Sequence, residues 1–433
     1  MKPATLGQWL AYLEQLHPQA IALGLERVER VRHALGLVPA CPVITVGGTN
    51  GKGSCCAILE AILLHAGYRV GCYTSPHLLR YNERVRVAGR AVDDAPLCHA
   101  FERIEAARHG VSLTYFEFGT LAAMLIFADA GVDVAILEVG LGGRLDAVNV
   151  FDADCAIVAS VDLDHQAYLG NTREAIGFEK AGIFRSGRPA VCADADSPQS
   201  LLDHAGRIGA DLHLIDRDFG YTAERQQWAC WGARTKRTGL PWPVLRGRRQ
   251  LSNAAACMTA LDCLRERLPV SAADVRGGLL TAELAGRFQV LPGRPLVVLD
   301  VAHNPHAARA LAENLAELPR TAGEVVAVCA MLADKDIDGV CGALAGAFTR
   351  WHVAGSDGPR GATAEVLAAA LARAAVGVPV QAHRTVAEAW RDACKNARDD
   401  DKIIVFGSFL TVAAVMREWA QDRHRAQQGN QAR

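Results

Sequence analysis

Four short stretches carry side chains that could do chemistry together. The first is Val46-Gly47-Gly48-Thr49-Asn50-Gly51-Lys52-Gly53-Ser54. Glycines let backbone N–H groups turn inward around an anion, and a helix starting there adds partial positive charge. Lys52 supplies a point charge for outer phosphates, and Ser54 a hydroxyl for Mg2+. The stretch departs from the standard Walker loop, because Gly53 separates Lys52 from the hydroxyl. Strand, glycine loop, lysine, hydroxyl and helix in that order favour a nucleoside triphosphate over a chance glycine turn.

The other three stretches end apolar runs. Glu138 closes the run Asp133–Val139, Ser75 follows Arg69–Tyr73, and Asp162-Leu163-Asp164-His165 follows Cys155–Val161. A buried ionised glutamate is costly unless paired or metal-bound. An ion pair with Arg144 is the alternative to a metal for Glu138, and a satisfied loop histidine is the alternative for His165. Ligands of open α/β sheets sit beyond the carboxyl ends of strands, so Gly51–Ser54, Ser75, Glu138 and His165 are expected at one site.

The elements that must place these groups read as two α/β units. Short β-branched runs (Pro42–Val46, Arg69–Tyr73, Asp133–Val139, Cys155–Val161, Arg188–Cys192) alternate with helical patterns such as Ser54–His65. That alternation predicts a mostly parallel sheet covered on both faces. Asp216–Arg249, with Trp228, Trp231 and Trp242, reads as an antiparallel meander, or as a basic-aromatic nucleic-acid patch. A linker is expected at Leu291-Pro292-Gly293-Arg294-Pro295. Beyond it lie strands Leu296–Asp300, Val325–Met331, Trp351–Ala354 and Lys402–Gly407. The expected division is 1–290 for the first unit and 291–433 for a smaller, Rossmann-like second unit.

Composition removes several classes. Among 433 residues, 46 Lys and Arg oppose 47 Asp and Glu, which argues against nucleic acid or an anionic membrane as the main partner. No apolar stretch approaches a bilayer span, and the N-terminus lacks a signal-peptide core. Thirteen cysteines without a C-x-x-C pair fit reduced thiols in a cytoplasmic protein, and no zinc-ligand spacing is present.

The motifs together resemble a known family. Gly48–Ser54 is similar to the ATP loop of the Mur ligase superfamily. Thr74-Ser75-Pro76-His77, Leu113–Glu117, Leu137–Asn149, Leu163-Asp164-His165 and Glu179-Lys180-Ala181-Gly182 narrow the match. So do Gly286-Arg287-Phe288-Gln289, Asp300–Pro305, Gly358–Ala362 and Gly407-Ser408-Phe409. In order, from about residue 9 to about 418, they resemble the bacterial bifunctional dihydrofolate synthase/folylpolyglutamate synthases. The fold this implies is an N-terminal P-loop-type ATPase domain plus a C-terminal Rossmann-like glutamate ligase domain.

The resemblance also implies roles. Thr49, Asn50, Gly51, Lys52, Gly53 and Ser54 would hold ATP, with Asn253, Arg287 and Asp300 as further nucleotide contacts. Ser75, Glu138 and His165, helped by Ser54, would bind Mg2+; a monovalent cation is an additional candidate. Lys180 matches the family lysine that carries a carbamate; from sequence alone it is a helix-face lysine. Lys52, Lys180, His165 and Arg287 would be catalytic, Arg287 as a charge clamp across the domain cleft. Ile21, Ala22, Leu23, Thr114, Tyr115, Phe116, Leu145, Asp146, Ala147, Ser408, Phe409 and Leu410 match pterin-side positions. Close relatives often carry threonine at Ser54 and a polar or aromatic residue at Leu410.

The implied reaction is ATP-dependent ligation of L-glutamate to 7,8-dihydropteroate and to the γ-carboxylate of reduced folates, by a monomer. Phosphorylating the acceptor carboxylate gives an acyl phosphate, which the amine of glutamate can attack. The rivals are a folylpolyglutamate synthase alone, a Mur ligase on another carboxylate, a nucleotide-dependent switch, and an RNA-binding protein using residues 216–249.

Overall fold

A computed structural model describes residues 3–431 except 20, 233–234, 320–321 and 376. The chain divides into two compact units. Met1–Val244 with Arg249–Glu283 form the first, and Leu245–Arg248 with Leu284–Arg433 the second.

The first unit holds an eight-stranded sheet. Its strands are β1 (Val43–Gly47), β2 (Val70–Tyr73), β3 (Val85–Val87), β4 (Arg90–Ala91), β5 (Val134–Glu138), β6 (Cys155–Val158), β7 (Pro189–Cys192) and β8 (Asp211–Leu214). The order is β4-β3-β2-β5-β1-β6-β7-β8. All neighbours are parallel except β2–β3 and β3–β4. Every residue of β1 and β5 is buried, as expected of central parallel strands covered on both faces. The register sets Val46 beside Glu138 and Gly47 beside Val158, so three strand ends meet at one edge.

Helix Lys52–His65 follows β1 and is buried continuously from Gly53 to Leu63. Its apolar side chains explain most of that burial, but Glu60 lies inside it. Arg86 compensates the charge: Arg86 Nη2 lies 2.8 Å from Glu60 Oε2, and Arg86 Nε donates to the same oxygen at 2.9 Å.

The aromatic stretch forms the antiparallel meander that its residues suggest: β9 (Phe219–Ala223), β10 (Trp228–Gly232) and β11 (Lys236–Leu240), ordered β11-β10-β9. Trp228 is buried with its indole N–H on Pro241 O at 2.8 Å, and Arg237 is paired with Asp262 at 2.5 Å.

The second unit holds β12 (Gln289–Leu291), β13 (Leu296–Leu299), β14 (Val325–Cys329), β15 (Arg350–Ala354), β16 (Val380–His383) and β17 (Lys402–Phe406). Their order is β12-β13-β17-β14-β15-β16, with only β12 antiparallel. The stretch expected as a linker, Leu291–Pro295, is the turn joining β12 to β13; the unit begins earlier, at Leu284. Phe348, Trp351 and Phe406 pack at centroid distances of 4.8–5.7 Å in its core.

All thirteen cysteines are free thiols. No described helix is long and apolar enough to cross a membrane.

Candidate functional site

The loop after β1 is tied down residue by residue. Thr49 N donates to Ser160 O at 2.7 Å, and Asn50 N donates to Ser160 Oγ at 3.0 Å. Thr49 Oγ1 donates to Asp162 O and accepts from Asp162 N, both at 3.0 Å. The chain beyond β6 therefore acts as a template for the loop. Gly51 has φ +87°, and a Cβ there would stand 2.8 Å from Asn253 Oδ1. Only glycine fits that left-handed, crowded position.

Lys52 opens the helix and folds back, its Nζ donating to Gly48 O at 2.9 Å and Thr49 O at 3.3 Å. The helix has no side-chain cap and no acidic residue in its first turn. Its first N–H groups lack intrahelical acceptors and sit at the positive dipole end, an arrangement suited to phosphate. Ser54, in that first turn, is buried.

Next to the loop, Glu138 is buried at the end of β5, and its Oε2 accepts from Ser75 N at 3.0 Å. Arg144 pairs with Glu179 at 2.8 Å. His165 adopts φ +50°, and its backbone N–H donates to Asp164 Oδ1 at 2.8 Å. Ser75 and Glu138 meet at this edge, and the resemblance adds the His165 imidazole and the Ser54 hydroxyl, on the segments that follow β6 and β1. A buried carboxylate there fits a hard divalent cation.

Two titratable groups behind this edge are displaced towards neutrality. Lys180, on helix Arg173–Ala181, is buried. Burial first, then the charge of Lys52, brings its amine down to about 7, with Asp164 and Asp146 opposing. Burial likewise pushes the Asp146 carboxyl up to about 7, against the backbone N–H groups it accepts from. Those include Leu141 N at 2.8 Å and Val148 N at 3.1 Å. Burial thus favours the neutral form of both groups.

The first-unit positions that the resemblance assigns to the pterin side also converge. Gly24 N donates to Leu145 O at 3.3 Å, tying the Ile21-Ala22-Leu23 segment to Leu145-Asp146-Ala147. Thr114 caps helix Tyr115–Ala130 in a reciprocal box with Glu117. Glu117 also pairs with Arg27 at 2.9 Å, and Arg27 Nη2 donates to Ala22 O at 2.7 Å. The Phe116 ring lies against Gly140, where a Cβ would meet it at 2.7 Å. Tyr115 faces the Arg84 guanidinium, 5.5 Å from its ring centroid. Arg84, Ser160 and Asp162 were not singled out from sequence as site residues; a loop template gives no motif of its own.

The remaining sequence-chosen residues belong to the second unit. Asp300 is half-buried and accepts from Phe288 N at 2.9 Å and Ala302 N at 2.8 Å. Burial raises its carboxyl above the usual range, opposed by Arg287. The Arg287 guanidinium lies 5.0 Å from the Phe409 ring centroid. Ser408 is a buried cap that accepts from Thr411 N at 3.0 Å. Leu410 is half exposed.

Comparison with known proteins adds an independent observation. Residues 46–261 match the Mur ligase middle domain, and residues 286–409 match the Mur ligase glutamate ligase domain. The chain is 46% identical over 412 residues to the dihydrofolate synthase/folylpolyglutamate synthase of Escherichia coli K12, covering 95% of this chain and 94% of that protein. It is 41% identical over 426 residues to the Haemophilus influenzae protein of that name, covering 94% and 96%. A solved structure of E. coli FolC in complex with DHPP and ADP superposes with TM-score 0.93 at 46% identity, covering 98% of this chain and all of that one. A bifunctional folylpolyglutamate synthase/dihydrofolate synthase with Mn, AMPPNP and L-glutamate bound gives 0.88 at 47% identity, covering 96% and 98%.

Proposed function

The chain belongs to the dihydrofolate synthase/folylpolyglutamate synthase family of Mur ligases, and we propose that it joins L-glutamate both to 7,8-dihydropteroate and to the γ-carboxylate of reduced folates at the expense of ATP, in the cytoplasm. The observation that carries this reading is the convergence of the templated loop, Glu138 and Ser75 at one sheet edge. Relatives of full-length similarity have been solved with adenine nucleotides, Mn, L-glutamate and DHPP.

The chemistry then follows. An acceptor carboxylate cannot expel oxide. Its oxygen attacks the γ-phosphorus of ATP, and the bond to the ADP oxygen breaks, giving an acyl phosphate. The neutral amine of L-glutamate attacks the acyl carbon. The tetrahedral intermediate expels phosphate and loses a proton, leaving the amide. Each step is chiefly positioning and charge neutralisation.

We assign the nucleotide phosphates to Thr49–Ser54, with Asn253 beside Gly51 holding the loop's shape. Lys52 is placed to offset charge on the outer phosphates. Mg2+ would be held by Ser75, Glu138 and His165, with Ser54, and would supply charge neutralisation for phosphoryl transfer. Arg287 and Asp300 are assigned as nucleotide contacts from the second unit. Thr114, Tyr115 and Phe116 with Ile21–Leu23 and Leu145–Ala147 are assigned to the pterin, whose flat ring suits the Phe116 face. Ser408, Phe409 and Leu410 are assigned as further pterin-side contacts.

Lys180 is assigned as a carbamate. Its neutral amine, available near pH 7, can add to CO2 and release a proton, replacing a buried cation by an anion near Lys52. The test of the whole reading is phosphate release from Mg·ATP and L-glutamate with 7,8-dihydropteroate or tetrahydrofolate, products checked by mass. One glutamyl unit gained by each acceptor is expected. Turnover of tetrahydrofolate alone would restrict the enzyme to tail extension, and turnover of neither would overturn the substrate assignment.

A further inference from the structure

Outside the candidate site, three ligand-type side chains of the second unit converge. His352 lies on β15, His383 ends β16, and Asp392 lies on helix Val386–Asn396. The register pairs His383 with Ala354, two residues from His352, so both histidines project from one face of the sheet.

His352 Nδ1 is 3.0 Å from His383 Nε2 and 3.5 Å from Asp392 Oδ2, and His383 Nε2 is 3.9 Å from that oxygen. The equidistant point in the plane of three atoms so spaced lies about 2.0 Å from each, and an ion lifted from that plane towards a fourth ligand stays at about 2.2 Å, near the length of a zinc bond to nitrogen or oxygen. The ring planes are inclined by only 21° with centroids 5.2 Å apart, so the two close nitrogens face each other as in an N–H···N hydrogen bond, and the rings must turn to aim both lone pairs at one ion.

We propose that His352, His383 and Asp392 bind one divalent transition-metal ion of the zinc class, with water completing the tetrahedron, and so pin the edge strand β16 to β15 and to the helix that covers them.

The surroundings suit that occupant. Asn396 Nδ2 donates to Asp392 Oδ1 at 3.1 Å, holding the carboxylate so that Oδ2 faces the histidines. His352 is 1% exposed and presents Nδ1 to the other two ligands. The nearby Arg350 cation is partnered by both carboxylate oxygens of Glu324 at 3.2 Å. Two imidazoles and one carboxylate select a borderline metal over Mg2+ or Ca2+. The cluster is invisible to spacing rules, since its members are brought together by strand pairing.

The test is calorimetric titration of Zn2+ into the full chain, chelator-stripped and with excess Mg2+ present, beside the variants His383→Gln and Asp392→Asn. One equivalent of Zn2+ should bind the parent, and affinity should fall about tenfold or more in each variant. Co2+ should give the visible bands of a tetrahedral nitrogen–oxygen site, without thiolate charge transfer, in the parent only. Zn2+ should also raise the parent's Tm and leave that of Asp392→Asn unchanged. The Asp392 side chain is 35% exposed, so its isosteric amide leaves the fold intact. Absence of Zn2+ binding, or equal affinity in parent and both variants, would overturn the proposal and leave the three groups as a proton-sharing network.

Discussion

Asn253 and Gly51 are so close that a single added carbon at Gly51 would stand 2.8 Å from the Asn253 amide oxygen. The helix that carries Asn253 thus sets the floor of the loop. Gly51→Ala meets both this contact and a φ of +87°, a strain of about 1–3 kcal/mol in itself. The loop should shift, and kcat/KM for ATP should fall by roughly 10²-fold, as misplaced reacting groups do. Steady-state kinetics with ATP varied, alongside Tm, checks this; unchanged kinetics would mean the loop is not the nucleotide site.

Lys52 bridges its own loop through two carbonyl oxygens. Lys52→Ala removes both that brace and the cation. Turnover should drop by about 10³-fold, the scale of losing one preorganised charge in phosphoryl transfer. Single-turnover phosphate release should show the loss in chemistry as well as in binding.

For Lys180→Ala, lowered turnover with partial recovery in millimolar formate or acetate is the expected pattern. A small carboxylate can occupy the space of the missing carbamate. Unchanged turnover, or loss without any rescue, would return Lys180 to the role of a packed helix-face lysine.

Asp146 gives a pH test of stability. Its folded value of about 7 is above the ordinary 3.8, so the folded state holds a proton that the unfolded chain has released. Stability from this group is therefore full below about pH 4 and is lost as pH rises through 7. Asp146→Asn should escape that loss. Its denaturant-derived stability, relative to the parent, should rise between pH 4 and 7 by a few kcal/mol, at about 1.4 kcal/mol per pKa unit. A difference that does not vary with pH would mean Asp146 titrates as an ordinary carboxylate.

The parts of the molecule that were legible share a cause. Central strands such as Val43–Gly47 and Val134–Glu138 are buried on both faces and leave continuous apolar runs. Strand β16 does not: Gln381 and Ala382 are exposed and Val380 and His383 half-buried, so no run marks it. The edge strand β4 and its neighbour β3 are two and three residues long, below any periodic signal. The glycine loop was readable because it is local in sequence. Its template at Ser160 and Asp162 is more than a hundred residues away and was not. The start of the second unit was misplaced for a similar reason, since Gln289–Leu291 joins its sheet antiparallel before the Pro-rich turn.

The burial of helix Lys52–His65 has a consequence in the time domain. With eleven consecutive residues from Gly53 to Leu63 enclosed, and Glu60 tied to Arg86, the amide hydrogens past its open first turn, from Cys56 to Leu63, meet solvent chiefly when much of the first unit opens. Those amides should be among the slowest in the protein to exchange for deuterium. A compound seeking the adjacent loop would therefore meet a surface already set in shape, and could gain little by waiting for it to breathe.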